Sequence, residues 1–314
     1  MILVTGCTGY LGFHICEYLK TKKIPFYGID NFSRSSHKNI IDKEKFLKIN
    51  ISSKHLPKLL EQKKIHTVIH AAAYSFPPES EDKKKIYYKN NVLKTKIFID
   101  YCHKIKIKKF IFFSSSNVYD FNSNKIISVK ETQKLFPKNY YGQTKLIIER
   151  YLNNKFDSCY ILRLFNIAGY VNKDNFYEFK NKYRRILPVI NEAFRKKLTF
   201  KINLIKSKGK AVFPGRDFVH IKDFLEIIFL IIKKQSANNL ILNVGNNKLV
   251  HLDEIINVFE KKLKKKINFK KIISTKGNLN YTLCNNALIK KKLKFNFKFN
   301  LSKIVKSCIN KKII

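Results

Sequence analysis

The chain has 314 residues, 45% of them hydrophobic, which suits a globular protein with a sizeable core. Its formal charge of +42 is carried mainly by lysine, because only seven of the 64 basic residues are arginine and the lysines are spread from Lys20 to Lys312. Specific recognition of phosphates and base edges favours clustered arginine, so we expect no specific nucleic-acid partner.

The cysteines indicate the compartment. The six of them form no Cys-x-x-Cys pair and no regular spacing, so neither a zinc site nor a disulfide framework is expected, and the default is a cytoplasmic protein with reduced thiols and no bound metal. Because the glycine loop follows directly after Thr5, we expect no signal peptide. The most apolar run, residues 224–232, contains Glu226 and is shorter than the ~20 residues that span a membrane.

The first elements predict a dinucleotide site. A short buried strand over residues 2–4 runs directly into three glycines spaced Gly-x-x-Gly-x-x-Gly: Gly6, Gly9 and Gly12. Glycines between a strand and a helix let the backbone approach a pyrophosphate, which the helix amino end then binds. A second strand over residues 26–29 ends on Asp30, placed as expected for the acid that binds the adenine ribose. Asp30 favours NAD over NADP because it repels a 2′-phosphate, although Arg34 nearby offers a compensating charge.

Strands and helices then alternate. The pattern predicts, in order, a strand at 46–49, a helix over 53–64, a strand at 67–70, a long helix ending near 103 and a strand at 110–113. This alternation predicts a parallel sheet with helices on both faces. The alanines after His70 stand at a strand's carboxyl end, where a cofactor can pass close to the backbone. His70 itself is interpreted as a hydrogen-bonded histidine at a strand end.

One tyrosine and one lysine are suited to proton transfer. Tyr141 and Lys145 stand at i and i+4 and share a helix face, so the ammonium can lie beside the phenol and favour its ionised form. A serine at the end of the strand over 110–113 can hold or relay the proton of a substrate hydroxyl. Such a pair is common by chance in a chain rich in lysine and tyrosine. The dinucleotide loop upstream gives the pair its significance.

Eight segments in the same order resemble the extended short-chain dehydrogenase/reductases, specifically the nucleotide-sugar epimerase/dehydratase group. They are Thr-Gly-x-x-Gly-x-x-Gly at 5–12, Asp30-Asn31, His70-Ala-Ala-Ala73, Asn91-Val92, Ser114-Ser-Ser-Asn-Val-Tyr119, Tyr141-Gly-x-x-Lys145 with Glu149, Leu162-Arg-Leu-Phe-Asn-Ile-Ala-Gly169 and Arg216-Asp-Phe-Val-His220. The resemblance covers about residues 1–225.

The resemblance implies roles for the matched positions. Tyr141 is expected to be the catalytic base, Lys145 the residue that lowers its pKa and holds the nicotinamide ribose, and Ser115 their hydroxyl partner. The expected cofactor is NAD, bound by Gly6, Gly9, Tyr10, Leu11, Gly12, Asp30, Asn31, Asn50, Ile51, Ala71, Ala72, Asn91, Tyr141 and Lys145. The expected substrate-binding residues are Ser115, Asn166, Arg185, Arg216 and Lys276.

The expected fold is α/β: a Rossmann-type, doubly wound parallel sheet over residues 1–165 and a smaller α/β substrate-binding lobe mainly over 166–314. The chain is expected to cross between the two more than once. The resemblance also implies a homodimer, in which the helix near residues 91–103 and the helix that carries Lys145 form a four-helix bundle.

Asn117 indicates the reaction. Members of this group oxidise C4 of a hexose, and the dehydratases and decarboxylases usually carry a carboxylate just before the Val-Tyr of the serine segment. Here that position is Asn117, whose amide cannot act as an acid or a base. The expected reaction is therefore NAD-dependent inversion at C4 of a nucleotide-activated hexose of the UDP-glucose/UDP-galactose type, through a transient 4-keto sugar.

Several positions depart from the members that act on UDP-glucose. Asn50 stands in place of an aspartate, Ser75 of a lysine, Arg185 of an asparagine, and Thr275 with Lys276 of a second arginine for the diphosphate. N-acetylated, uronic-acid and other nucleotide sugars therefore stay open as substrates. The alternatives are a reductase or dehydratase of the same family and, more remotely, a catalytically idle NAD-binding scaffold with nucleic-acid affinity.

Overall fold

Within the described residues, seven parallel strands form a central sheet. The computed structural model describes residues 1–121, 126–156, 158–172, 185–207, 210–234, 239–273 and 281–309. The strand order is β12-β7-β5-β4-β1-β2-β3. These strands are β1 Ile2–Thr5, β2 Phe26–Asp30, β3 Phe46–Lys48, β4 Thr67–His70, β5 Lys109–Ser115, β7 Cys159–Leu164 and β12 Leu240–Val244.

Helices cover both faces of this sheet. Its inner strands are buried along their whole length, as expected for a parallel sheet shielded on two sides. Apolar residues of α1 and α8 pack on one face, and those of α2, α5 and α6 pack on the other. These helices are α1 Tyr10–Thr21, α2 Leu56–Gln62, α5 Lys94–Lys104, α6 Tyr140–Asn153 and α8 Ile221–Lys233. The predicted Rossmann-type fold class is confirmed.

Three predicted elements differ in detail from those in the structure. The helix expected over residues 53–64 is shorter, since α2 covers Leu56–Gln62. The strand expected at 110–113 extends to Ser115, because the first two serines continue the ladder with β7. The long helix is interrupted: α3 Pro77–Asp82 and α4 Lys84–Tyr87 lead into a π-helical turn over Tyr88–Leu93 before α5 begins. Such turns often occur at functional sites, and this one carries Asn91.

Smaller sheets form the second layer. One has the order β13-β11-β15-β6, with β8 paired to β11, and another has the order β10-β9-β14. Their bounds are β6 Ser128–Val129, β8 Asn166–Ala168, β9 Phe200–Ser207, β10 Lys210–Val212, β11 Gly215–His220, β13 Leu249–His251, β14 Phe269–Ile273 and β15 Tyr281–Cys284. Four more helices lie in this half of the chain's described part: α7 Ile186–Arg195, α9 Leu252–Leu263, α10 Ala287–Leu293 and α11 Leu301–Cys308.

The sheet order places the site. It reverses between β1 and β4, since β2 and β3 continue on one side and β5, β7 and β12 on the other. In open α/β sheets ligands bind at such a switch point, outside the carboxyl ends of the strands. Among the described helices, none combines the length and the apolar character needed to cross a membrane.

Candidate active site

Close backbone packing explains the glycine loop. Gly6 has a φ of +67°, and a Cβ there would stand 2.8 Å from Cα of Ala72 in the loop after β4. A Cβ on Gly12 would stand 2.1 Å from the carbonyl oxygen of Gly6. Neither position has room for a side chain. Helix α1 begins directly after Gly9, its N-cap, so its amino end lies at the loop, as a pyrophosphate site requires.

A solvent-open cleft with about 590 Å³ of empty space adjoins this loop. Eight of the predicted cofactor residues line it: Gly6, Gly9, Asp30, Asn31, Asn50, Ile51, Ala71 and Ala72. Tyr10, Leu11, Gly12, Asn91, Tyr141 and Lys145 are not part of that lining. Four lining residues were not predicted from the sequence: Ser33, Ser35, Tyr74 and Asn90. The polar run directly after Asp30 was the available signal for the first two.

Asp30 is held in place by its surroundings. The backbone N–H of Thr8 donates to Oδ2 at 3.2 Å, and that of Phe32 donates to Oδ1 at 2.8 Å. The hydroxyl of Ser35 also donates to Oδ1, at 3.1 Å. The carboxylate therefore stands fixed at the end of β2, at the edge of the cleft, where an adenine ribose would meet it.

Arg34 forms an ion pair with a second carboxylate, that of Glu79. Its guanidinium lies 2.6 Å from Oε2 of Glu79, which is buried, and 3.8 Å above the ring of Tyr74. This ion pair offsets the positive charge that could otherwise attract a 2′-phosphate. Asp30 and the glycine cradle thus fit NAD better than NADP.

The proton-transfer residues meet where β5 ends and α6 begins. Tyr141 is buried, and its phenol lies next to the Ser115 hydroxyl, which acts to lower its pKa. Nζ of Lys145 donates to the carbonyl of Phe113 at 2.7 Å and lies 5.8 Å from the centre of the Tyr141 ring. The structure therefore brings together Ser115, Tyr141 and Lys145, the three side chains that the sequence pattern singled out.

Burial dominates the electrostatics of this group. It raises the pKa of Tyr141 to about 12, against the Ser115 hydrogen bond, which lowers it. It lowers the pKa of Lys145 to about 7, while the carboxylate of Glu149 one turn further on acts in the opposite direction. A cation beside a phenol favours the phenolate, which is the arrangement that the sequence pattern predicted.

Side chains from other segments bind the amino end of α6. The backbone N–H of Tyr140 donates to Glu81 at 2.6 Å, that of Tyr141 to Ser80 at 2.9 Å, and that of Gly142 to the N-cap Asn139 at 2.8 Å. These bonds satisfy N–H groups that an isolated helix leaves unpaired. They also fix the position of Tyr141 relative to α3.

Asn91 and His70 support the site from behind. The amide of Asn91 accepts from the N–H of Tyr74 at 2.8 Å and donates to its carbonyl at 2.9 Å, which holds the loop after β4. His70 is buried and bonds Oγ1 of Thr5 at 2.8 Å; burial, with Lys145 nearby, lowers its pKa to about 3. The interpretation of His70 as a hydrogen-bonded strand-end histidine is confirmed.

Two of the predicted substrate residues lie on paired strands. Nδ2 of Asn166 on β8 donates to the carbonyl of Asp217 on β11 at 3.0 Å, which places it beside Arg216. Arg216 donates to the carbonyl of Gly215 at 2.9 Å, and burial lowers its pKa to about 10. The buried carboxylate of Asp217 accepts backbone N–H groups of the loop after β12. Asp217 thus fixes the strand that carries Arg216.

Arg185 lies elsewhere. Its guanidinium stacks 3.2 Å above the ring of Tyr10, in the glycine loop, and donates to the Tyr170 hydroxyl at 3.3 Å. The Tyr10 hydroxyl donates in turn to the carbonyl of Gly169 at 2.5 Å. Arg185, directly before α7, therefore contacts the glycine loop through Tyr10. Lys276, the remaining predicted substrate residue, and Thr275 lie outside the described residues.

A switch-point cleft, a glycine cradle with Asp30 and a Ser-Tyr-Lys group define an extended short-chain dehydrogenase/reductase. Comparison with known proteins agrees. The model of the NAD dependent epimerase/dehydratase family matches residues 2–245. The chain belongs to this family, and NAD is its cofactor, as predicted.

Individual relatives are more distant. The chain is 28% identical to a UDP-glucose 4-epimerase of Lacticaseibacillus casei over 269 residues, which is 83% of this chain and 80% of that one. It is 29% identical to a dTDP-D-glucose 4,6-dehydratase of Dictyostelium discoideum over 82% of this chain and 62% of the relative. Among solved structures, the UDP-glucose 4-epimerase of Bifidobacterium longum in complex with NAD+ and UDP superposes with a TM-score of 0.90 at 22% identity, covering 98% and 96% of the two chains.

Two glycine substitutions should separate packing from cofactor contact. Gly12→Ala introduces a Cβ 2.1 Å from the Gly6 backbone, so we expect a loss of about 1–3 kcal/mol in unfolding free energy together with loss of NAD. Gly9→Ala meets its nearest atom at 3.3 Å and should keep the stability of the NAD-free protein while weakening NAD binding. Chemical denaturation and NAD calorimetry measure the two effects, and equal stability of both variants would contradict this packing account.

Proposed function

We propose that this protein is an NAD-dependent epimerase that inverts C4 of a nucleotide-activated hexose of the UDP-glucose/UDP-galactose type through a transient 4-keto sugar. One observation carries the proposal: Ser115, Tyr141 and Lys145 converge where β5 ends and α6 begins, while the position that could hold an additional acid is occupied by Asn117. The named relatives, mostly UDP-glucose 4-epimerases, support it.

The chain's own residues manage the proton. Tyr141 takes the proton of the substrate O4 hydroxyl and later returns it. Ser115 donates a hydrogen bond to the Tyr141 oxygen while that oxygen is a phenolate. Lys145 keeps the phenolate accessible. The glycine cradle and Asp30 would hold NAD, which would supply reversible hydride chemistry at C4 of the sugar and would be regenerated in each turnover.

Asn117 argues for inversion over dehydration. Its Nδ2 donates to Oγ of Ser115 at 3.0 Å, and its Oδ1 accepts from Asn139 at 2.7 Å, so both ends of the amide are engaged. An amide supplies no proton for elimination of a hydroxyl group from the sugar. The described geometry thus supports proton exchange at O4 by Tyr141.

Binding of the nucleotide diphosphate is assigned to Arg216 and Asn166. A guanidinium gives a planar fork of donors that suits a diphosphate. Arg185 adds a cation at the boundary between the smaller lobe and the glycine loop. We keep the division into an NAD-binding part over 1–165 and a substrate lobe mainly over 166–314 as part of this proposal; β12 and α8 would be the segments that return to the sheet.

Incubation of the purified protein with a panel of nucleotide sugars, followed by NMR of the products, tests the proposal. We expect interconversion of C4 epimers with no change in free NAD(H). Dehydrated products, or net consumption of NADPH, would instead assign the protein to a dehydratase or reductase of the family. RNA binding that persists at physiological salt, without sugar conversion, would favour a scaffold.

We further propose a homodimer. Large apolar side chains are exposed on the π-helical turn, on α4 before it and on α5 after it: Ile86 is 50% exposed, Leu93 44% and Ile97 40%. These helical segments and α6 are the ones expected to form a four-helix bundle with a second copy. Contiguous exposed apolar patches on soluble proteins mark interaction sites.

Leu93→Asp should therefore shift the protein towards monomer by at least about tenfold in dissociation constant, since a carboxylate would be buried in the interface. Lys85→Glu, at an exposed lysine of α4, adds negative charge on the adjacent surface and should leave the dimer intact. Analytical ultracentrifugation measures both. A wild-type protein that sediments as a monomer would overturn the proposal.

A cytoplasmic location is also proposed. All six cysteines are free thiols and all are buried, which suits a reducing compartment. Fractionation of cells that express the protein, with an antibody against it, tests the location.

A further inference from the structure

A chain of hydrogen bonds runs from the backbone of the catalytic helix to Ser115, which lies next to the catalytic phenol. The N–H of Gly142 donates to Oδ1 of Asn139 at 2.8 Å, and Nδ2 of Asn139 donates to Oδ1 of Asn117 at 2.7 Å. Nδ2 of Asn117 donates to Oγ of Ser115 at 3.0 Å, and the Ser115 hydroxyl acts to lower the pKa of Tyr141. Three side chains thus connect the backbone of α6 with the hydroxyl beside the oxygen that takes part in proton transfer.

The direction of this chain is fixed at its start. A backbone N–H only donates, so the atom of Asn139 that faces Gly142 must be the carbonyl oxygen, and its NH2 group must face Asn117. Asn117 must then present its own oxygen to Asn139 and its NH2 group to Ser115. Each orientation follows from the one before it.

Ser115 receives two hydrogen bonds from the same residue. The backbone N–H of Asn117 donates to its Oγ at 3.2 Å, in addition to the amide Nδ2 at 3.0 Å. A hydroxyl has two acceptor lone pairs and one proton. With both lone pairs engaged, the proton is left to point towards Tyr141, and a donor to a phenolate stabilises its charge.

We propose that Asn139 and Asn117 are positioning residues that orient the Ser115 hydroxyl as a hydrogen-bond donor to the oxygen of Tyr141. The catalytic use of this orientation rests on the proposed function, whereas the orientation itself does not. An amide at position 117 has a specific role here. A carboxylate at this position would accept from both Asn139 and Ser115, so the Ser115 hydroxyl would point to residue 117 and no longer to Tyr141.

Backbone packing keeps the chain short. Gly142 allows α6 to approach the loop of Asn117 so closely that a Cβ would stand 2.3 Å from the Asn117 carbonyl oxygen. Ser115 and Asn139 are both buried, so water does not readily replace their bonds. The orientation is therefore built into the packing of β5 against α6.

Two substitutions should reverse the direction of the hydrogen bonds between Asn139, Asn117 and Ser115. In Asn139→Asp the new carboxylate still accepts from Gly142 and remains a good N-cap, but it accepts from Asn117, whose amide turns and presents its oxygen to Ser115. In Asn117→Asp the new carboxylate accepts directly from Ser115. Both changes remove the donor from Tyr141. Asn139→Ser caps the helix with a group that also donates, so it is the matched control.

The pKa of Tyr141 is the measurement. Ultraviolet difference titration of tyrosinate in the NAD-saturated enzyme, with Tyr141→Phe as the reference, should give a pKa raised by about one or more in both Asp variants, on the scale of a hydrogen bond to a charged group. Asn139→Ser should give the wild-type value. Where sugar conversion is measured, the acid limb of kcat should move to higher pH in the same two variants.

A double-mutant cycle separates orientation from charge. In a Ser115→Ala background the introduced carboxylate still repels the phenolate, but it has no hydroxyl to reverse. We expect the rise in the Tyr141 pKa that Asn139→Asp causes to be clearly smaller in that background, and we expect the same for Asn117→Asp. Equal rises in both backgrounds would overturn the proposal. The two variants act at different positions, so failure of one to fold leaves the other as the test.

This experiment distinguishes the orientation from the proposed function. If no nucleotide sugar is converted but the titrations behave as expected, the orientation of Ser115 stands and the epimerase assignment fails. If sugars are epimerised but the rises do not depend on Ser115, the reverse holds.

Discussion

Tyr141→Phe should abolish sugar epimerisation, with kcat reduced by about a thousandfold or more, while NAD stays bound. General acid–base catalysis typically contributes about 10²–10⁴-fold. Within the described residues, Tyr141 is the phenol that lies next to both Ser115 and Lys145. The bonds that hold Tyr141 on its helix use its backbone N–H, which phenylalanine retains. The variant should therefore lose chemistry and keep its structure.

Tyr140→Phe is the matched control. It makes the same change one position earlier, where the centre of the ring lies 5.8 Å from the ammonium of Lys84. This variant should keep wild-type turnover. Product formation by NMR and bound NAD by absorbance after denaturation are the two measurements, and substantial turnover by Tyr141→Phe would remove the role assigned to that residue.

The sequence predicted the parts of this site that depend on short spacing. The glycine loop, Asp30 at the end of its strand and the Tyr141–Lys145 pair are each read within one strand, one turn or one helix face. Local backbone chemistry decides these features: a Cβ does not fit at Gly6, and residues four apart on a helix are neighbours. The confirmed fold class followed from the alternation of such elements.

Contacts between distant segments were not predictable in this way. The assignment of Arg185 to the substrate came from its place near an Ile-Leu-Pro segment, yet its guanidinium stacks on Tyr10, far earlier in the chain. The sheet also takes β12 from residues after 239, which sequence spacing does not indicate. Register between segments this far apart depends on tertiary packing, for which a single sequence carries no local signal.

The lysines show the same limit. Lysines dispersed along a chain are typically solvated surface charges. Lys109, however, is only 8% exposed, and its ammonium donates to the carbonyls of Ile231 and Ile232 at 3.0 and 2.9 Å. A cation at a helix carboxyl end stabilises the unpaired carbonyls there. In a chain with this many lysines, composition does not reveal which one is buried.

Arg163→Met should lower the unfolding free energy by about 3–5 kcal/mol, the typical effect of removing one partner of a buried ion pair. Arg163 and Glu149 are each 2% exposed, and the guanidinium donates to both carboxylate oxygens, with Nη2 2.7 Å from Oε2. Its Nη1 also donates to the Tyr119 hydroxyl at 2.9 Å. Methionine fills much of the space but leaves the Glu149 carboxylate buried without its cation.

The double variant Arg163→Met with Glu149→Gln decides between two explanations of that loss. If the destabilisation comes from the unpaired carboxylate, neutralising it should restore at least about half of the lost stability, because well-packed neutral groups often replace a buried pair at little cost. If it comes from lost packing or from the bond to Tyr119, the double variant should be no more stable than Arg163→Met alone. Arg163→Lys keeps the charge and loses the planar fork, so its unfolding free energy should lie between those of the wild type and Arg163→Met. Urea denaturation of the four proteins measures the series. Glu149 lies one turn from Lys145 on α6. If the double variant regains stability but its turnover is altered, the Arg163–Glu149 pair acts on catalysis through the Lys145 ammonium.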